Sequence, residues 1–279
     1  LEQVKIGYLG PEGTFSHEAA AAYSSERGGG ALVPAPSIPD LALRVAVGEL
    51  AEAVLPIENS LEGGVIPTMD MLLEDLDVAI KAELTLQIRE NLMVRAGTAR
   101  QDIRTIVSHP QPLGQCRNYI HMHFPNARLR SVDSTTIAAE AAAGSDGSVA
   151  AIGSAAAAAL YGLHILERDI QDLEKNYTRF VVLGKADAPH GPGCKTSIAF
   201  SVGHTPGRLY QILGIFDIWD LNMTRIESRP SRKAPGEYIF FVDLDGHRED
   251  PDVRDALKML RRKTLYYKFL GSYPTSVRM

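Results

Sequence analysis

Cysteine is nearly absent from this sequence: of 279 residues only Cys116 and Cys194 are cysteine, 78 positions apart and in no CxxC pair. A disulfide framework and a cysteine-built zinc site are thereby excluded, and the reducing cytoplasm is the expected location. No stretch approaches the roughly 20 apolar residues of a membrane-spanning helix. The opening Leu1-Glu2-Gln3-Val4-Lys5 has neither the basic start nor the apolar stretch of an export signal, so no membrane partner is expected. GxGxxG, GxxxxGK[ST] and GxSxG are all missing, which argues against a bound dinucleotide, a P-loop and a serine-hydrolase elbow. No second histidine stands at ligand spacing from His109, so no metal is expected.

What is present is ordinary for a globular protein: 45% hydrophobic and 23% charged residues, in a chain long enough for about two structural units. The net charge of −5 is unevenly spread. Residues 1–194 carry 15 basic and 24 acidic groups, whereas 195–279 carry 14 and 10, an excess that comes largely from Arg254, Lys258, Arg261, Arg262, Lys263 and Lys268. A solvated helix face accounts for that excess, and no nucleic-acid partner is expected.

The clearest seam runs from Gly184 to Lys195, where three glycines and two prolines interrupt regular patterning. Upstream, the apolar runs at 5–9, 53–57, 105–108, 129–132 and 149–152 are each followed by a helix-like segment, which predicts a mainly parallel α/β sheet. Between them, Ile80, Ala82, Leu84, Leu86 and Ile88 alternate with mostly polar residues in a long extended stretch, 78–95, that can pass from one lobe into another. Downstream the order is strand 196–202, helix 206–219, strand 221–228, strand 238–243, helix 251–262 and strand 265–271. This is the βαββαβ order of a ferredoxin-like module.

Polar residues gather where strands end. The first strand leads through Gly10-Pro11-Glu12-Gly13-Thr14 to a helix beginning near Ser16, a turn that is either an anion site or an ordinary capped start. Asn59 and Ser60 follow another strand, Gln111 and Gln115 a further one, and Asp133, Ser134 and Thr135 stand before an alanine-rich helix. Any single hydroxyl here is read most simply as a helix cap, but their recurrence at the carboxyl ends of strands points to one shared cleft. Thr178 and Arg179 lie in a last strand before the seam, where an arginine fork suits a carboxylate.

Together, GPEGTFS (10–16), PIENSLEGGV (56–65), HPQPLGQC (109–116), the Ser134-Thr135 helix start and NYTRF (176–180) resemble the prephenate dehydratase family, and NMTRIESRP (222–230) with YIFFVDLDGH (238–247) resembles its ACT regulatory domain. The resemblance implies a two-lobed, periplasmic-binding-protein-like catalytic domain at 1–185, with lobes at 1–78 plus 160–185 and at 79–159. A linker at 186–195 and an ACT domain at 196–279 complete it. It implies decarboxylation and dehydration of prephenate to phenylpyruvate without a cofactor, Thr178 as the catalytic residue, and Asn59, Ser60, Gln111, Gln115, Ser134, Thr135, Arg179 and Thr14 as substrate contacts. It further implies L-phenylalanine as allosteric effector, held where ACT domains pair in a homodimer or homotetramer, by Gly207, Leu209, Asn222, Glu227, Ser228, Arg229 and Pro230. Arg208 and Tyr210 depart from the family's GALV pattern at its Ala and Val positions. Two other readings stand beside this one: arogenate dehydratase, and a non-catalytic amino-acid sensor built on the same cleft.

Overall fold

The structure, a computed structural model, describes residues 3–231 and 236–275; the first two and last four residues of the expected domain spans, and 232–235, lie outside it. The first lobe opens with β1 (Lys5–Leu9), α1 (Phe15–Glu26), β2 (Ala31–Ala35), α2 (Ile38–Ala46), β3 (Glu52–Asn59), the two-residue β4 (Gly63–Gly64), α3 (Ile66–Leu72) and β5 (Ala79–Gln87). Local chemistry explains α2 well. Ser37 caps it by accepting from the Asp40 amide at 3.3 Å, Pro39 occupies the first turn, and Ile38, Leu41, Ala42 and Val45 form one buried face.

The second lobe contains β6 (Asn91–Val94), β7 (Thr105–Ser108), α4 (Pro110–Gln115), α5 (Arg117–His123), β8 (Arg128–Ser131), α6 (Thr135–Ala143), β9 (Val149–Gly153), α7 (Ala155–Leu160) and β10 (His164–Glu167). The chain then returns to the first lobe as β11 (Tyr177–Gly184). Sheet order is β2-β1-β3-β11-β5 in the first lobe and β10-β6-β9-β7-β8 in the second. Both sheets are mixed. β11 runs antiparallel to β3 and β5, and β6 runs antiparallel to β9 and β10, because the strands that cross between lobes must return in the opposite sense.

The long alternating stretch does pass between lobes, but it breaks at Ile88–Glu90 into β5 and β6. Lobe membership consequently departs from the boundaries at 78/79 and 159/160. β5 belongs to the first sheet and β10 to the second, which moves the crossings to 88–90 and 168–176.

The C-terminal module is β12 (Cys194–Ser201), α8 (Arg208–Ile218), β13 (Met223–Pro230), β14 (Tyr238–Asp245), α9 (Pro251–Lys263) and β15 (Tyr266–Pro274), in the order β13-β14-β12-β15. Its two helices cover one sheet face, where Ile212, Phe216, Val253 and Leu260 pack on Phe200 and Val242. The other face does not meet solvent. Ala199, Phe241, Leu270 and Tyr273 share a single core with Ile80, Val181 and Leu183 of the first lobe. The seam at 184–195 therefore joins two units that are packed together.

Contact across this junction is closest where β15 meets β5. A Cβ at Gly271 would lie 2.1 Å from the Ile80 carbonyl oxygen, a position that only glycine tolerates. Gly271→Ala is expected to cost about 1–3 kcal/mol of stability, as overpacking does in a filled core. Chemical denaturation checks this, and an unchanged midpoint would contradict the packing described.

Candidate active site

A cleft of about 350 Å³ opens between the lobes at the ends of their strands. Thr14, Asn59 and Thr178 reach it from the first lobe, and Gln111, Gln115, Ser134 and Thr135 from the second. Each arrives for a local reason. Thr14 caps α1, its hydroxyl accepting from the His17 amide at 3.3 Å and donating to the Pro11 carbonyl at 2.9 Å. Ser134 caps α6 in the same manner, accepting from the Ile137 amide at 3.1 Å. The capping reading thus holds for both, and it also brings two helix first turns, with their free N–H groups and positive dipole ends, to the cleft wall.

The lobes touch at one rim. The Ser154 hydroxyl donates to the Gly13 carbonyl at 2.7 Å, and the Ala156 amide donates to Glu18 at 3.2 Å.

At the cleft floor, hydrogen bonds fix a direction. Asn59 Oδ1 accepts from the backbone amides of Leu61 at 2.9 Å and Glu62 at 3.2 Å, so its Nδ2 must face the other way. That nitrogen donates to Asn176 Oδ1 at 2.9 Å and to Thr178 Oγ1 at 3.0 Å. Asn176 Nδ2 in turn donates to Gln115 Oε1 at 3.0 Å, tying the second lobe into the chain of bonds. Thr178 is 9% exposed, and with Asn59 donating to its oxygen, its own proton is left for a ligand.

Two expected substrate contacts lie elsewhere. Ser60 is engaged with the backbone of the neighbouring strand, accepting from the Tyr177 amide at 3.0 Å, and so holds Asn59 in place from outside the cleft. Arg179 points away because side chains alternate along β11: Thr178 faces the cleft, so Arg179 faces the C-terminal module. There its guanidinium meets Asp243 at 2.7 Å, Glu83 at 3.1 Å and Glu58 at 3.4 Å. Burial disfavours its charge, but Asp243, followed by Tyr273 and Glu83, outweighs that effect and holds it protonated.

Sequence reasoning missed Glu90, which lines the cleft at 1% exposure. Burial, with a smaller contribution from Glu18, pushes its carboxyl up to about 8. The available signal was a carboxylate interrupting an apolar alternation at the point where the chain changes lobes. Asn176 was quoted within its motif, yet its role in the bond chain becomes visible only in the fold.

A family model for prephenate dehydratase matches residues 6–188, and one for the ACT domain matches 196–261. The chain belongs to the prephenate dehydratase family. It is 37% identical over 291 aligned positions to the prephenate dehydratase of Mycolicibacterium vanbaalenii, covering 97% of this chain and 91% of that one. Among solved structures, the prephenate dehydratase of Arthrobacter aurescens in complex with L-Phe is 35% identical with a TM-score of 0.87, covering 97% of this chain and 90% of that one. GqqA, described as a novel type of quorum quenching acylase, is 31% identical with a TM-score of 0.86 and 98% coverage of both chains.

The dehydratase reaction is that of a carbon–oxygen lyase: prephenate loses carbon dioxide and water to become phenylpyruvate. Among the described residues no group of three or more His, Cys, Asp or Glu is placed to hold a metal, and no helix is long and apolar enough to cross a membrane. The residues expected at the ACT effector site do not form one pocket within the chain. Gly207 and Leu209 line a recess on the helix side of the ACT sheet, whereas Pro230 lines a different cavity beside Asp70. Alternation along β13 explains the split: Arg229 pairs with Asp70 at 2.9 Å and Glu227 pairs with Arg225 against the dehydratase lobe, while Ser228 is exposed. Asn222 serves β14, donating to Asp245 at 2.8 Å.

Arg179→Ala separates the two views of that residue. Truncation leaves Asp243 buried without its guanidinium partner and Glu83 held by Lys195, and about 3–5 kcal/mol of stability is expected to be lost. A raised KM with unchanged melting temperature would instead restore Arg179 to the substrate site.

Proposed function

We propose that Thr178 donates a hydrogen bond to the C4 hydroxyl of prephenate as it departs, and that the first turns of α1 and α6 face the substrate's two carboxylates. One observation carries the reading: Asn59 donates to Thr178 Oγ1 while backbone amides occupy its own Oδ1, so the threonine proton is directed toward a ligand. The Gln111 side chain and Thr135 hydroxyl, which have no hydrogen-bond partner among the described residues, complete the contacts with prephenate. Aromatisation drives the step. Electrons released on decarboxylation flow through the ring and expel the hydroxyl, so the protein has to position, shield and supply a proton. A threonine hydroxyl is too weak an acid to be the terminal source and acts as donor or relay.

The same proposal places the protein in the cytoplasm as a homodimer or homotetramer paired through its ACT domains, inhibited by L-phenylalanine. Support for pairing is the exposed apolar set Tyr210 (80%), Ile226 (46%) and Tyr238 (45%) on and beside the edge strand β13. The split of the expected effector residues favours a site completed by a second copy. A route to the cleft is also present: Arg225 of β13 lies 3.3 Å from Glu58, the residue preceding Asn59. L-Phe bound at the ACT pair would distort the cleft through that contact.

The test measures phenylpyruvate absorbance from prephenate, with arogenate in parallel. Thr178→Ala is expected to lower kcat about 10²- to 10³-fold, with Thr178→Ser retaining a measurable part. Equal loss in both would remove the hydroxyl from the mechanism. L-phenylalanine is expected to raise the melting temperature and slow turnover; no change in either would refute effector control.

A further inference from the structure

Dehydration of prephenate consumes a proton. The dianion plus one proton gives the phenylpyruvate monoanion, carbon dioxide and water, so the departing hydroxyl needs a donor stronger than threonine. Within the cleft the titratable groups are His109, Asp133 and Glu90. The His109 Nδ1 accepts from the Gln111 amide at 3.3 Å as the cap of α4. Asp133 is open to water. Glu90 differs from both: it lines the cleft with only 1% of its surface exposed, and its Oε2 is buried without a hydrogen-bond partner. Its backbone is pinned on both sides, the amide donating to Gln171 Oε1 at 2.9 Å and the carbonyl accepting from the Ile170 amide at 2.9 Å.

Among the described residues no cation neutralises it. Its neighbour Arg89 is taken by Asp169 at 2.8 Å, and the groups facing Glu90 from packed elements are Glu18 on α1 and the Cys116 thiol after α4. A buried carboxyl with a second carboxyl nearby and no cation beside it is stable as the neutral acid.

We propose that Glu90 is the terminal proton donor of the dehydration, protonating the C4 hydroxyl held by Thr178 as the C–O bond breaks. Glu90 is left as a carboxylate and regains its proton from solvent once product leaves. This rests on the cleft being the site of the reaction.

The position of its titration, about 8, makes the acid form available at neutral pH and gives the test a signature. For the wild-type enzyme, kcat/KM is expected to fall tenfold per pH unit above about 8. Glu90→Gln, neutral and of the same shape, is expected to keep KM within about threefold, lose about 10²- to 10³-fold in kcat, and lack that alkaline limb.

Stability supplies a second readout. A carboxyl raised on folding binds a proton that the unfolded chain, at about 4.3, has released. Its contribution is full below that value and disappears as pH rises through about 8. The wild-type melting temperature should therefore fall between pH 5 and 8 relative to Glu90→Gln.

Glu90→Gln turning over at the wild-type rate, or keeping the alkaline limb, overturns the proposal. So does Asp133→Asn abolishing the limb in its place. Thr178→Ala assayed alongside distinguishes failures: full activity there refutes the cleft as the site, whereas its loss beside an active Glu90→Gln refutes only Glu90. If Glu90→Gln does not fold, a wild-type profile without a fall near 8 decides against it.

Discussion

Everything around the site depends on β11 placing a threonine on one face and an arginine on the other, two positions that cannot be exchanged. One face presents Thr178 to the cleft, and the next residue buries a guanidinium among Asp243, Glu83 and Glu58. Removing a cation from water is costly, and it stays favourable only because three carboxylates from two structural units converge on it. Lys195 adds to the set through Glu83 at 2.9 Å, and Ser197 donates to Asp243 at 2.6 Å. A one-residue slip of β11 would put arginine in the cleft and threonine among carboxylates, so the ion cluster also enforces the strand's register.

Much of this was legible from residues alone. The βαββαβ order of the C-terminal module needed only periodicity and turns, and the cleft residues Thr14, Asn59, Gln111, Ser134, Thr135 and Thr178 lay at strand ends or helix starts, with Gln115 one turn further along α4. Arg179 was misread because its chemistry was weighed without its parity: adjacent strand positions cannot share a face. The expectation of a mainly parallel sheet holds for β2-β1-β3 and β9-β7-β8 but not for the strands that border the crossings, for a different reason. A strand that returns from a second lobe carries no mark of its direction in its own sequence, since direction is set by what lies between. Nor does any local pattern state that Ala199 and Phe241 cover Val181 and Leu183; both sides read as ordinary half-buried strands.

Asn59 illustrates how little chemistry must be built when backbone is used well. Two amides of the following turn occupy its oxygen, which leaves its nitrogen for Thr178 and thereby decides which way a hydroxyl points. Ser60, outside the cleft, keeps that turn against β11. The polarity of the cleft floor thus comes from backbone amides that lie behind it.

The two crossings between lobes have a consequence for how the molecule assembles. Entry and exit lie side by side, the Ile88 amide donating to the Asn176 carbonyl at 2.8 Å and the Ile170 amide to the Glu90 carbonyl at 2.9 Å. The Asn59–Thr178 bond closes a separation of 119 residues, a slow event for an unstructured chain. Once the second lobe has folded and its ends have met, that span collapses to a short tether. Closing the Asn59–Thr178 contact across that tether costs less chain entropy than closing it across the whole insertion.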